Sequence, residues 1–247
     1  MKIAVIPDVQ AKPGVSPKFL TRVGRYIAEK EPDVVVCIGD FADMPSLSSY
    51  DKGKKAFEGR MYKADIQAAR NAMESLFEGF ETNPAWNLRV KRKLALGNHE
   101  ERIPRAVNNQ RELEGLIGYH DLPYESWEVH DFLEVFTIGG IAFSHYFASG
   151  PMGRPVGTAQ RLLTTKHMSC IAGHQQGRQI ATSFRADGSP ITSIIAGSCY
   201  EHNEEYMGKQ GNKHWRGIVM LHEVKNGSFD ESFVSLSFLN KKYRGTK

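Results

Sequence analysis

Short apolar runs, each closed by polar or turn residues, punctuate this chain. They are Ile3–Ile6, Val34–Ile38, Leu94–Leu96, Ile141–Ser144 and Cys170–Ala172. Runs so short and so bounded read as buried strands. Helical spacing lies between the first three. The segment Ser16–Lys30 opens on Ser-Pro, a helix-start signal, and sets Phe19, Leu20, Val23, Tyr26 and Ile27 on one face. Ala64–Phe80 repeats the pattern with Ile66, Ala69, Met73, Leu76, Phe77 and Phe80. The second half reads as short strands with glycine turns, and Gly139-Gly140 and Asn226-Gly227 are hairpin candidates. The expected class is α/β, with two packed mixed β-sheets sandwiched between helices.

Polar clusters sit where these strands end. In chain order they are Asp8-Val9-Gln10, Gly39-Asp40-Phe41-Ala42-Asp43, Gly97-Asn98-His99-Glu100, His145 and Gly173-His174-Gln175-Gln176. Side chains at the carboxyl ends of several strands converge in space, which is where open α/β sheets build their sites. Carboxylates, an amide and imidazoles gathered there can hold a pair of divalent cations.

That ordered series resembles the calcineurin-like metallophosphoesterases, in their nuclease and phosphodiesterase branch, and the compact layout resembles phage-encoded members. The motifs run from Asp8 to Gln176, and Ala196-Gly197-Ser198 and Gly217–Leu221 resemble the family's closing strands. The resemblance implies a first metal held by Asp8, Gln10, Asp40 and Gln176. It implies a second held by Asp40, Asn98, His145 and His174. Asp40 would bridge the two, and His99 would serve the leaving group without touching metal. The implied chemistry is metal-dependent hydrolysis of a phosphate ester, preferably a phosphodiester. Solvent bridging the cations would be made acidic enough to attack phosphorus in line as hydroxide. Either Asp43 or Glu100 would orient His99.

The chain departs from the family pattern twice, at Gln10 and Gln176, where the family usually has histidine. Both departures fall on the first metal. An amide oxygen is neutral like imidazole but harder, so the first site should favour Mg²⁺ or Mn²⁺ over zinc. The cofactors expected are therefore two divalent cations, Mn²⁺ ahead of Mg²⁺, Zn²⁺ or Fe. The other reading is that both glutamines only hydrogen-bond the ligands and that one metal suffices.

Segments between the motifs supply candidates for substrate binding. Arg102 and Arg105 follow the Gly97–Glu100 cluster and can fork onto phosphate oxygens. Arg154 lies in the Gly150–Pro155 loop after His145, and His202 lies in the loop Tyr200–Gly211. Met44–Tyr62 interleaves Lys52, Lys54, Lys55 and Arg60 with Tyr50, Phe57 and Tyr62, which suits either phosphate gripping or a solvated loop. His120, His130, His167, His214 and His222 fall in no ligand spacing.

Composition narrows the class further. At 247 residues, 40% hydrophobic and 24% charged, the chain fits one large domain spanning 1–247. No apolar run approaches a membrane-spanning length, and the first strand begins at once, with no room for a secretory leader. Cys37 and Cys170 lie inside apolar strands and Cys199 completes an odd set, so reduced core thiols in a cytoplasmic protein are expected. A net charge of +4 favours polyanionic partners, ranking DNA, RNA or a nucleotide above phosphomonoesters. The alternatives are a phosphomonoesterase on the same site, or a non-catalytic binding module with a degraded first metal site. Oligomeric state is not legible.

Overall fold

A computed structural model describes residues 1–204 and 207–245. In chain order the elements are β1 (Ile3–Ile6), α1 (Phe19–Lys30), β2 (Val34–Cys37), α2 (Tyr62–Phe80), α3 (Pro84–Asn87), β3 (Lys91–Ala95), α4 (Arg102–Asn109), β4 (Glu128–His130), β5 (Phe136–Ile138), β6 (Ile141–Ser144), α5 (Ala159–Lys166), β7 (Cys170–Ala172), β8 (Gln179–Phe184), β9 (Pro190–Ile195), α6 (Gly208–Gly211), β10 (Gly217–Lys225), β11 (Ser228–Ser235) and α7 (Leu236–Lys242). Two mixed sheets result, in the orders β11-β10-β1-β2-β3-β4 and β5-β6-β7-β9-β8. Within the first sheet β1 to β4 run parallel, and within the second so do β6, β7 and β9.

The period of two along each strand sorts side chains between layers. Ile3, Val5 and Val36 face Phe143, Ile171 and Ile194 of the second sheet in one apolar layer. Their neighbours Ala4, Ile6, Val35 and Cys37 point the other way, onto Leu20, Val23 and Ile27 of α1 and Ala69 and Leu76 of α2. On the far side Ala142, Cys170 and Ala172 meet Leu162 of α5. The layers are helix, sheet, sheet, helix, as the pattern predicts.

Both hairpins form as expected. Gly139 and Gly140 (φ +59° and +85°) join β5 to β6, and Asn226 and Gly227 (φ +53° and +84°) join β10 to β11. Positive φ at both central positions matches the right-handed twist of the strands, which is why Asn and Gly stand there. Two helix boundaries differ from expectation. The Pro17 carbonyl accepts the Leu20 N–H in a turn that precedes α1, which begins at Phe19 rather than Ser16. Helix α2 begins at Tyr62, two residues before Ala64, with the Tyr62 hydroxyl bonded to Asp121 at 2.6 Å.

Candidate metal centre

The parallel strands of both sheets deliver their carboxyl ends to one side of the molecule. Asp8 follows β1, Asp40 follows β2, Asn98 follows β3, His145 follows β6 and His174 follows β7. Ligand atoms of Asp40, His145 and His174 lie within 4.8 Å of one another. Asn98 sits among them, its Oδ1 2.7 Å from His174 Nδ1 and 3.0 Å from His145 Nε2. His145 Nδ1 donates to the Ile38 carbonyl at 2.9 Å, which turns Nε2 toward the cluster, the arrangement usual for metal-binding imidazoles. A side chain at Gly97 would stand 2.1 Å from Asp40 Oδ1, so only glycine lets β3 approach this closely.

The backbone is strained where the ligands are. Gln10, Asp40 and His174 all hold φ near the left-handed region, at +48°, +51° and +66°. Non-glycine residues there cost about 1–3 kcal/mol each and concentrate at functional sites. Hydrogen bonds hold them in place. Gln10 N–H donates to Asp40 O at 2.8 Å, and His174 N–H donates to Asp8 Oδ1 at 3.1 Å.

Asp8 Oδ2 and both polar atoms of the Gln10 side chain are buried with no hydrogen-bond partner among the described residues. Buried polar atoms are rarely left so. Oxygens of this kind suit a hard divalent cation, so the residues present fit the metal ions the motifs imply. Gln176 differs from Gln10, because its Oε1 accepts the Tyr200 hydroxyl.

Charge is distributed unevenly across the cluster. Burial pushes the Asp8 carboxyl up to about 7, opposed by His145 and reinforced by Asp40. Burial would raise Asp40 as well, but His145 and His99 outweigh it and hold its carboxyl far below the ordinary range. For His145, burial opposes the charged ring, yet Asp40 overcomes this and lifts the pKa to about 9. His174 goes the other way, to about 4, through burial and the repulsion of His145.

His99 stands apart with its own support. Its Nδ1 pairs with Asp43 Oδ1 at 2.7 Å and its Nε2 lies 3.2 Å from Arg102 Nη2. Burial disfavours the charged ring, but Asp40 and Asp43 prevail and raise its pKa. Asp43 is therefore the carboxylate that orients His99. Glu100 faces away, accepting N–H groups of Asp40, Ala42 and Gly97 and the Tyr124 hydroxyl.

The residues expected to meet substrate are dispersed. Arg102 Nη1 bonds the Asp43 carbonyl at 2.6 Å, so this side chain braces the His99 pair as well as bordering it. Arg105 is exposed, over the Phe132 ring at 5.9 Å, and Arg154 is exposed on its loop. His202 stacks on Tyr200 with centroids 4.5 Å apart and bonds Glu204 at 2.6 Å. Glu205 and Tyr206 of that loop lie outside the described residues. In the Met44–Tyr62 segment Lys54 and Arg60 are paired with Asp51, which favours the solvated-loop reading for those two. Lys12, Tyr146, Tyr200 and Glu204 were not legible as site residues. Lys12 links Glu204 at 2.6 Å to Asp43 at 3.8 Å, and Tyr146 packs on His174 with centroids 4.8 Å apart. The one signal for Lys12 was its position just after Gln10.

Residues 1–210 match the family model for calcineurin-like phosphoesterases. The chain belongs to that family. Over 81 residues it is 38% identical to the Gene 54 protein of Mycobacterium phage L5, a stretch covering 32% of this chain and 31% of that one. Among solved structures it is similar to Yfce, a phosphoesterase from E. coli, at 13% identity and a TM-score of 0.40, over 96% of this chain and 100% of that one. A conserved protein of Streptococcus pneumoniae TIGR4, described as a predicted phosphoesterase, is similar at 11% identity and a TM-score of 0.34, over 96% and 90%. At such scores neither structure adds to the family assignment. No helix among the described residues is long and apolar enough to cross a membrane.

Proposed function

We propose that the chain is a phosphodiesterase acting on DNA, RNA or a nucleotide, with Mn²⁺ as its leading metal. One observation carries this reading. The donor atoms of Asp40, His145 and His174 converge within 4.8 Å beside the buried, partnerless oxygens of Asp8 and Gln10. In this reading Asp8, Gln10, Asp40 and Gln176 hold the first cation, and Asp40, Asn98, His145 and His174 hold the second. When bound, such a pair lends positive charge to the phosphoryl oxygens and lowers the pKa of solvent.

The protein's own part is positioning and proton transfer. His99, raised in pKa and fixed through Nδ1 by Asp43, offers a proton at Nε2 to the oxygen that departs as its bond to phosphorus breaks. Arg102, close to the same Nε2, adds charge where that oxygen becomes negative. Arg105 and Arg154 are assigned to phosphates flanking the scissile one, and His202 to the support of Tyr200. The preference for a diester rests on the net charge of +4 and the exposed arginines at the rim. The buried free cysteines suit a reducing compartment, hence the cytoplasm. In this reading residues 1–247 form one domain.

Hydrolysis of bis(p-nitrophenyl) phosphate and of p-nitrophenyl phosphate, each with added Mn²⁺, tests the reading. The diester should turn over faster, and folded Asp40→Asn should turn over neither. Faster monoester cleavage would make the chain a phosphatase, and near-normal activity of Asp40→Asn would end the two-metal arrangement.

A further inference from the structure

A groove of about 650 Å³ lies between the loop that follows β9 and the start of β10 on one wall and α7 on the other. Its lining includes Tyr200, Trp215, Arg216, Lys241 and Arg244. Tyr200, fully buried under Arg216, connects the groove to the candidate ligands, because its hydroxyl donates to Gln176.

Three cations, Arg216, Lys241 and Arg244, line the groove against one acid, Glu201, so positive charge is in excess. Arg216 lies over the Tyr200 ring at 4.7 Å, and its guanidinium bonds only neutral oxygens, the carbonyls of Glu201 and Asn212 and the side chain of Asn203. Lys241 and Arg244 are exposed and have no hydrogen-bonded acid among the described residues. The one acid in the lining, Glu201, is already engaged by Asn240 at 2.5 Å and Arg22 at 3.8 Å. An aromatic side chain, Trp215, also lines the groove. Of the three tryptophans, Trp86 and Trp127 are buried at 1% and 6% exposure, and Trp215 alone is half-buried. Trp215 is braced by Arg178, 5.0 Å from its ring, and by Phe233 edge-on at 5.8 Å. Cations spaced along a channel with a braced aromatic face are what a single-stranded polynucleotide needs, since phosphates meet the cations and an unpaired base meets the ring. A duplex keeps its bases stacked away from such a ring, and an acidic peptide offers it no planar partner.

We infer that this groove binds single-stranded nucleic acid and leads it to the phosphodiester centre. The inference rests on the phosphodiesterase reading for its direction, but not for its test. Binding of a fluorescein-labelled oligothymidylate is followed by anisotropy in EDTA, where no hydrolysis occurs, with tryptophan emission recorded in parallel using unlabelled strand. The strand should bind and quench emission, and Trp215→Phe should abolish the quench. Lys241→Glu with Arg244→Glu should weaken binding roughly tenfold and flatten the salt dependence by about two counterions, as expected for two lost phosphate contacts. The same double variant should keep its circular dichroism spectrum and hydrolyse bis(p-nitrophenyl) phosphate within about twofold of wild type, since that small diester does not reach the groove. Equal affinity of wild type and double variant, an absent quench, or tighter binding of duplex or of polyglutamate would overturn the inference. If the small diester is not hydrolysed at all, the phosphodiesterase reading fails while the anisotropy result still decides the groove.

Discussion

The Glu100 carboxylate accepts the backbone N–H of Asp40 at 3.1 Å, so one buried acid fixes the main chain of the other. Three more donors point at Glu100, the N–H groups of Ala42 and Gly97, each at 2.8 Å, and the Tyr124 hydroxyl at 2.9 Å. This clasp ties the turn after β2 to the turn after β3 and keeps Asp40 in its left-handed conformation.

Glu100→Gln should therefore destabilise the fold despite conserving shape. Either orientation of the amide would turn its NH₂ toward two of the four donors. A loss of about 2–4 kcal/mol is expected, the scale of two buried groups left unsatisfied. Urea denaturation of the metal-free protein measures it, and unchanged stability would show that the clasp is dispensable.

His99 and Asp43 should behave as one unit. Asp43→Asn removes the acceptor that sets the ring, and His99→Ala removes the ring, so each should lower kcat by about 10²–10⁴-fold for poorly activated leaving groups. The double variant should fall no further, because both changes delete the same interaction. Metal content by elemental analysis should match wild type throughout. Additive losses, or loss of a metal ion in His99→Ala, would assign the pair a different role.

The two glutamines should separate the metal sites in affinity. With oxygen donors at Gln10 and Gln176, purified protein should keep about one tightly bound transition metal and need added Mn²⁺ or Mg²⁺ for full activity. Gln10→His combined with Gln176→His should tighten the first site and shift it toward zinc. Calorimetric titration of metal-free protein with Mn²⁺ and Zn²⁺ tests this, and two equally tight sites in wild type would remove the glutamines from the ligand set.

The cysteines should be silent in the native protein. Burial pushes the Cys170 thiol up to about 12 and raises the Cys37 and Cys199 thiols well above their ordinary range. A raised thiol pKa means the neutral form persists as pH rises, so near pH 8 almost no reactive thiolate exists. A thiol reagent at that pH should count no fast-reacting group in the folded chain and three in denaturant. Rapid native labelling would indicate opening of the strand layers.

Much of this arrangement was legible because its causes are local. Ile3–Ile6 and Val34–Cys37 alternate faces with a period of two, and Leu20, Val23 and Ile27 recur with the helical period, so each run declares its own element. Asn226-Gly227 declares its turn because few other residues accept positive φ twice. The strand-end clusters were visible for the same reason, since a parallel strand carries the residue that follows it to the common edge.

What the sequence by itself determined was the order of strands, the identity of the ligand-type residues after them and, through them, the family. Only the tertiary structure decided how those residues divide their work. Either Asp43 or Glu100 could orient His99 as far as the sequence tells, yet one bonds its ring while the other bonds the Asp40 main chain. Tyr200 reaches Gln176 across 24 residues, and Lys12 reaches Glu204 across 192. Periodicity acts over a few residues and reports which face is apolar. A hydrogen bond depends on where two side chains arrive after the sheets have packed, so its partner is fixed by the folded chain and not by any spacing within it.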